Sequence, residues 1–185
     1  MNTEFNPQVL SIAFRFYSRV ILFPYDELTH EFQHMLREME KNIETDIDNT
    51  VASNILDIIN FYQAEDMSSL QAEYARLFAL TEESKPPVPV TLRDLKPSLD
   101  IDLLRDLLYD TGMVLDQEDN PDSLVNIMDY QAFLLEENLQ EAESFMDQYI
   151  KPFLSDWCGR LYRESTLDFY REAAKGLIEM IRLLE

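Results

Sequence analysis

A single-domain, all-α bundle of about eight helices is the fold this sequence predicts, on three observations. Apolar residues recur at i, i+3 and i+4 through most of the chain. Only three glycines occur in 185 residues, which disfavours a β protein rich in tight turns. No stretch alternates apolar and polar residues as a half-buried strand does. The 46% hydrophobic content is enough for a core despite the high charge, and the length suits one domain over 1–185.

The helices follow in order. Asn6 ahead of Pro7 is a helix start, with Asn as the cap and Pro at the first helical position. Over 9–23 the pattern is apolar on almost every side, through Leu10, Ile12, Phe14, Phe16, Tyr17, Val20 and Ile21. Such a helix belongs in the middle of a bundle, and Pro24 ends it. A second, more amphipathic helix over 25–41 carries Leu28, Phe32, Met35, Leu36 and Met39. Its His30 and His34 have the i, i+4 spacing of two metal ligands. No third ligand accompanies them, so solvated histidines are expected and no metal. A third helix over 46–62 is marked by Ile47, Val51, Ile55, Ile58 and Ile59.

The fourth helix, over 68–80, places Tyr74, Leu77 and Phe78 on one stripe. Pro86, Pro87, Pro89 and Pro97 then forbid helix, because each fixes φ and removes a backbone donor. A long Pro-rich connection at the middle of a helical chain is expected to be a binding loop or hinge, here about 80–98. A short fifth helix over 99–109 should end near Gly112, followed by an acidic turn with Asp116, Glu118 and Asp119. Asn120-Pro121-Asp122 repeats the Asn6-Pro7 pattern and predicts a helix start there, running on through Leu124, Ile127, Met128, Phe133 and Leu135. Another helix over 141–161 contains Pro152 as a kink or break. The last, over 166–184, aligns Leu167, Tyr170, Ala174, Leu177, Ile178, Ile181 and Leu184.

A formal charge of −21 excludes non-specific nucleic-acid binding, which depends on Lys and Arg displacing phosphate counterions. It also repels anionic membrane surfaces, so a basic partner fits better, with most of the charge solvating helix faces. The single cysteine, Cys158, permits no internal disulfide and suits a reducing compartment. It sits beside Trp157 with no histidine nearby, as a structural thiol does. No apolar run of about 18 residues predicts a membrane span, and no basic-then-apolar leader predicts export, so a cytoplasmic location is expected. Glu-x-x-His, His-Glu-x-x-His, Cys-x-x-Cys, Gly-x-Ser-x-Gly and phosphate-loop motifs are all missing. No cofactor and no catalytic residue are expected, although 36 acids leave a carboxylate-based hydrolase as a minor alternative.

Glu73-Tyr74-Ala75-Arg76-Leu77-Phe78, then a spacer and Pro86-Pro87-x-Pro89, resembles the signature of the TorD/DmsD/NarJ family of cytoplasmic molybdoenzyme maturation chaperones. The order of later motifs is similar too: Leu107-Leu108-Tyr109, Gly112, Pro121-Asp122-Ser123-Leu124, Phe145, Pro152-Phe153, Trp157 and Phe169-Tyr170. The resemblance spans roughly 73–170 and implies a chaperone for the apo-form catalytic subunit of a molybdopterin oxidoreductase. It implies binding of that subunit's N-terminal, twin-arginine-type peptide until cofactor insertion and export. Tyr74, Phe78, Val88, Val90, Leu92 and Tyr109 would then form an apolar slot, with Pro86, Pro87, Pro89, Pro121 and Ser123 shaping it. Asp119, Asp122 and Asp129 would supply charge for the arginines. Core packing of Tyr74 and Phe78, and helix-dipole support from Asp122, are competing roles. Departures are Val88, Val90 and Leu92 where many members have an aromatic, Ser or Gly, and Ser123 where many have His. An acidic helical adaptor for an unrelated basic partner is the alternative. A monomer is expected, with a Pro-rich segment long enough for the two halves to exchange between chains as a swapped dimer.

Overall fold

The computed structural model describes residues 5–79, 85–110 and 120–184, and its regular structure is helical throughout. The helices are α1 (Pro7–Val20), α2 (Leu28–Glu40), α3 (Asp46–Ala64), α4 (Met67–Phe78), α5 (Leu92–Leu95), α6 (Ile101–Asp110), α7 (Leu124–Glu137), α8 (Leu139–Phe145), α9 (Lys151–Glu164) and α10 (Asp168–Leu183). Among the described residues there is no strand, only an isolated antiparallel bridge between Thr91 and Ser123. The all-α expectation therefore holds.

Local chemistry sets the helix starts. The Asn6 side chain accepts from the Gln8 N–H, with Pro7 at the first helical position. Thr45 and Asp48 form a reciprocal capping box at α3, and Asp66 caps α4 through the Ser69 N–H. Each such cap satisfies donors that the first helical turn leaves unpaired.

The apolar-all-round α1 lies at the centre, with Val9, Leu10, Ala13, Phe14, Phe16, Tyr17 and Val20 all buried. It packs along α7 and also meets α2, α3 and α10, while α10 packs between α3 and α9. A relay of aromatic contacts crosses the core. It runs from Phe16 to Phe32, Tyr62, Phe169, Tyr170, Phe78, Tyr74 and Phe23, with successive ring centroids 4.6–5.6 Å apart. Offset and edge-to-face pairs of this kind add to the energy of burial.

Gly176 marks a tight crossing of α10 over α1 and α3. A β-carbon there would lie 2.7 Å from the Tyr17 hydroxyl oxygen and 3.1 Å from the Ile58 side chain. Gly176→Ala is therefore expected to destabilise by about 1–3 kcal/mol through overpacking, despite alanine's better helix propensity. Urea unfolding of the variant checks this, and an unchanged midpoint would mean that α10 can shift freely.

Several helix boundaries differ from the sequence expectation, and the stretch over 80–98, where prolines were expected to bar helix, carries the short α5 in the proline-free interval between Pro89 and Pro97. α7 begins at Leu124 with Ser123 as its cap, not at Pro121: the Ser123 hydroxyl oxygen accepts from the Asn126 N–H at 3.2 Å. The Asp122 carboxylate is engaged elsewhere, so the Asn-Pro pattern that starts α1 does not start α7. The helix expected over 141–161 is interrupted by a π-helical turn, Met146–Ile150, just ahead of Pro152. Proline has no N–H and its ring crowds the carbonyl four residues back, and a wider turn relieves both. His30 and His34 are exposed, and no group of three metal-ligating side chains occurs among the described residues. Among these residues no helix is long and apolar enough to cross a membrane.

Candidate functional site

The Pro-rich segment does not hang free. It is tied to three separate elements by main-chain groups. The Val88 N–H donates to the Leu77 carbonyl at the end of α4 (3.1 Å). The Pro89 carbonyl accepts from the Trp157 indole of α9 (2.8 Å), a buried bond across 68 residues of sequence. On either side of Thr91, the Leu92 N–H donates to the Asp122 carbonyl and the Leu124 N–H to the Val90 carbonyl, both at 2.8 Å. Prolines suit this arrangement, because carbonyls make the loop's contacts at Pro89 and Val90 and the missing N–H groups are not needed.

One ion pair locks the clasp. Arg93, at the start of α5, donates to Asp122 through its backbone N–H (3.0 Å), Nε (2.9 Å) and a terminal nitrogen (2.5 Å). The Asp122 side chain has no exposure, whereas that of Arg93 is 44% exposed. A fork of charge-assisted bonds of this kind fixes geometry as well as energy. The second terminal contact of Arg93 reaches the Asn120 side-chain oxygen at 3.3 Å.

The sequence-designated residues fall into two groups. Phe78, Val88, Pro89, Leu92, Pro121 and Asp122 are buried, and Val88, Pro89, Leu92 and Asp122 make the hydrogen bonds that fix the loop. Pro86, Val90, Ser123, Tyr74 and Asp129 are partly exposed, and Pro87 and Tyr109 are exposed. The structure brings 88–92 and 121–124 together. Asp129 instead faces α1, accepting from the Ser18 hydroxyl (2.6 Å) and from Arg19 (3.2 Å). Tyr74 stacks edge-on against exposed Phe23 and beside Phe78. Asp116, Glu118, Asp119 and Gly112 lie outside the described residues.

Sequence reading did not foresee the role of Glu73 and Arg76. Glu73 is buried on α4, and its carboxylate accepts from Arg76 (2.8 and 2.9 Å), the Ser165 hydroxyl (3.3 Å) and the Thr166 N–H (2.5 Å). Arg76 also reaches the Glu164 carbonyl at the end of α9. The pair thereby joins the helix before the Pro-rich segment to the α9–α10 turn. The i, i+3 acid–base spacing was the available signal. Burial raises the Glu73 pKa, but the Arg76 and Thr166 hydrogen bonds outweigh it and bring it down to about 2. Because the folded-state value is depressed, this stabilisation is complete above the ordinary carboxylate range and is lost as pH falls towards 2. Glu73→Gln, which keeps the shape, should cost about 1.5–3 kcal/mol at neutral pH. The gap between parent and variant in urea should close on acidification, and a gap independent of pH would contradict the ion-pair role.

Cys158 is buried, and burial pushes its thiol up to about 12, so it stays protonated at neutral pH.

The all-helical fold has a solved counterpart. The chain aligns with a crystal structure from Archaeoglobus fulgidus described as a "putative redox enzyme maturation protein", at a TM-score of 0.62 and 13% identity. The alignment covers 94% of this chain and 93% of that one, so the two share a fold. A sequence model of the nitrate reductase delta subunit matches residues 26–163. The chain belongs to this family of NarJ/TorD-type maturation chaperones. No curated protein sequence matches it.

Proposed function

We propose that this protein is a cytoplasmic maturation chaperone for a molybdopterin oxidoreductase, binding the N-terminal twin-arginine-type peptide of the apo catalytic subunit. Family membership over 26–163 is the observation that carries the reading. The peptide surface of this reading is the open side of the clasp, where Pro87 is exposed and Val90 and Ser123 are partly so, with Tyr74 and Tyr109 as further accessible aromatic contacts. The interior members, Val88, Leu92 and Asp122, act by holding that surface rigid. A charge of −21 steers a basic peptide towards it. Occupancy shields the client's N-terminus, and release follows when the folded, cofactor-loaded client withdraws it.

Fluorescence anisotropy with a peptide carrying paired arginines ahead of an apolar stretch tests this. Asp119→Asn removes charge without changing shape, and a lost charged hydrogen bond of about 1.5–3 kcal/mol predicts binding roughly tenfold to a hundredfold weaker. Replacing the paired arginines by alanines should weaken binding by at least as much. If the parent binds the arginine and alanine peptides equally, the peptide reading is wrong.

A further inference from the structure

The α9–α10 hairpin carries a second surface of opposite character. A cleft of about 280 Å³ is lined by Ser155, Cys158, Gly159, Tyr162 and Arg163 of α9 and by Ala174, Lys175, Ile178 and Arg182 of α10. Three cations line it and no carboxylate does, in a chain with 36 acids against 15 Lys and Arg. Most of those cations are committed to acids of the chain itself, as with Arg15 to Glu136, Arg19 to Asp129 and Arg93 to Asp122. Among the described residues Arg163 and Arg182 are in no ion pair, although acids outnumber bases in the chain as a whole. Lys175 pairs with Glu172 at 2.5 Å and lies over the Tyr162 ring, 5.5 Å from its centroid.

The shape of the cleft is built as well as its charge. Gly159 has no side chain where Arg163 folds back: a β-carbon there would sit 3.3 Å from a guanidinium nitrogen. Ala174 leaves similar room on the facing helix, while Ile178 and half-exposed Tyr162 give apolar walls. Arg163 is in the last turn of α9 and Arg182 in the last turn of α10. Helix-dipole compensation accounts for a cation at either end, but not for both lining one cleft with Lys175 between them. The helices run antiparallel, so the cations are strung along the hairpin, with Lys175 and Arg182 about 10 Å apart at 1.5 Å per residue. Charges spread over that length suit an extended chain better than one compact anion.

We propose that this cleft docks an acidic peptide segment of a partner protein, with carboxylates on Arg163, Lys175 and Arg182 and an aromatic or aliphatic side chain against Tyr162 and Ile178. Complementarity of charge argues for it: the rest of the molecule repels such a segment, and this cleft alone among the described pockets is lined by cations without acids. The site is separate from the clasp, so an acidic and a basic segment can be held together.

The test is anisotropy with a fluorescein-labelled Glu-Asp-Phe-Glu-Asp-Leu peptide at low salt, using the full chain and the double variant Arg163→Ala/Arg182→Ala. Both side chains are exposed, so the melting temperature and helical circular dichroism should not change. Saturable binding by the parent, at least tenfold weaker in the double variant and weakened by salt, is expected. A paired-arginine peptide should bind both proteins alike, which keeps this inference distinguishable from the proposed client site. Absence of saturable binding, or equal binding by parent and double variant, would overturn it. Displacement by pyrophosphate at lower concentration than by unlabelled peptide would assign the cleft to a phosphate ligand instead. A concentration-dependent dimer abolished by the double variant would assign it to a second copy of the chain.

Discussion

Asp122→Ala is expected to lower stability by about 3 kcal/mol, near the lower end of the range for breaking a buried ion pair. The lower end applies because the partner left behind, Arg93, is 44% exposed and can turn to water. Three hydrogen bonds vanish together, including the one that fixes the Arg93 backbone at the start of α5. The loss should therefore be local as well as global, with faster amide exchange at Leu92 and Leu124, whose N–H groups bridge the two segments. Equilibrium urea unfolding with exchange measurements checks both. A variant as stable as the parent, with those amides still protected, would show that the bridge stands without the ion pair.

Trp157→Ala should have a still larger effect, about 3–5 kcal/mol, because a 2%-exposed indole is replaced by a cavity. Trp157→Phe separates packing from hydrogen bonding. It keeps most of the apolar volume and removes only the donor to Pro89, leaving a buried carbonyl unpaired at a cost of about 1–3 kcal/mol. If the Pro-rich clasp forms the client surface, Trp157→Phe should weaken peptide binding although it contacts no peptide. Unfolding midpoints for the two variants, read beside peptide affinity, distinguish a stabilising role from a shaping one. Equal midpoints for Trp157→Phe and parent would mean that the Pro89 carbonyl finds another donor.

The helices were legible because their signals are local. Apolar periodicity placed α1 in the middle of the bundle, and Asn6-Pro7 marked its start, with no tertiary information needed. The same Asn-Pro pattern misled at α7, because what decides the matter there is Arg93, 29 residues earlier in the chain. The π turn at Met146–Ile150 was half legible: Pro152 announces a disturbance, but not whether the chain kinks, breaks or widens. The proline run marked a non-helical connection through the donors it lacks. What it could not reveal was the destination of its carbonyls, since Trp157 and Leu124 are distant in sequence. Burial of Val88 and Leu92 was equally hidden, because an apolar residue in a loop can face a ligand or the core. Glu73 and Arg76 formed a recognisable acid–base pair on a helix, but their reach to Thr166 and Glu164 depends on the α9–α10 turn being brought beside α4.

The most direct test of the central claim is affinity capture of the full chain from its native cell, with mass spectrometry of the bound proteins and metal analysis of the eluate. A molybdopterin oxidoreductase catalytic subunit should be recovered, its N-terminal segment intact and without stoichiometric molybdenum, and a paired-arginine peptide should displace it. Recovery of that subunit only in its molybdenum-loaded form, or of basic proteins unrelated to redox enzymes in its place, would contradict the account.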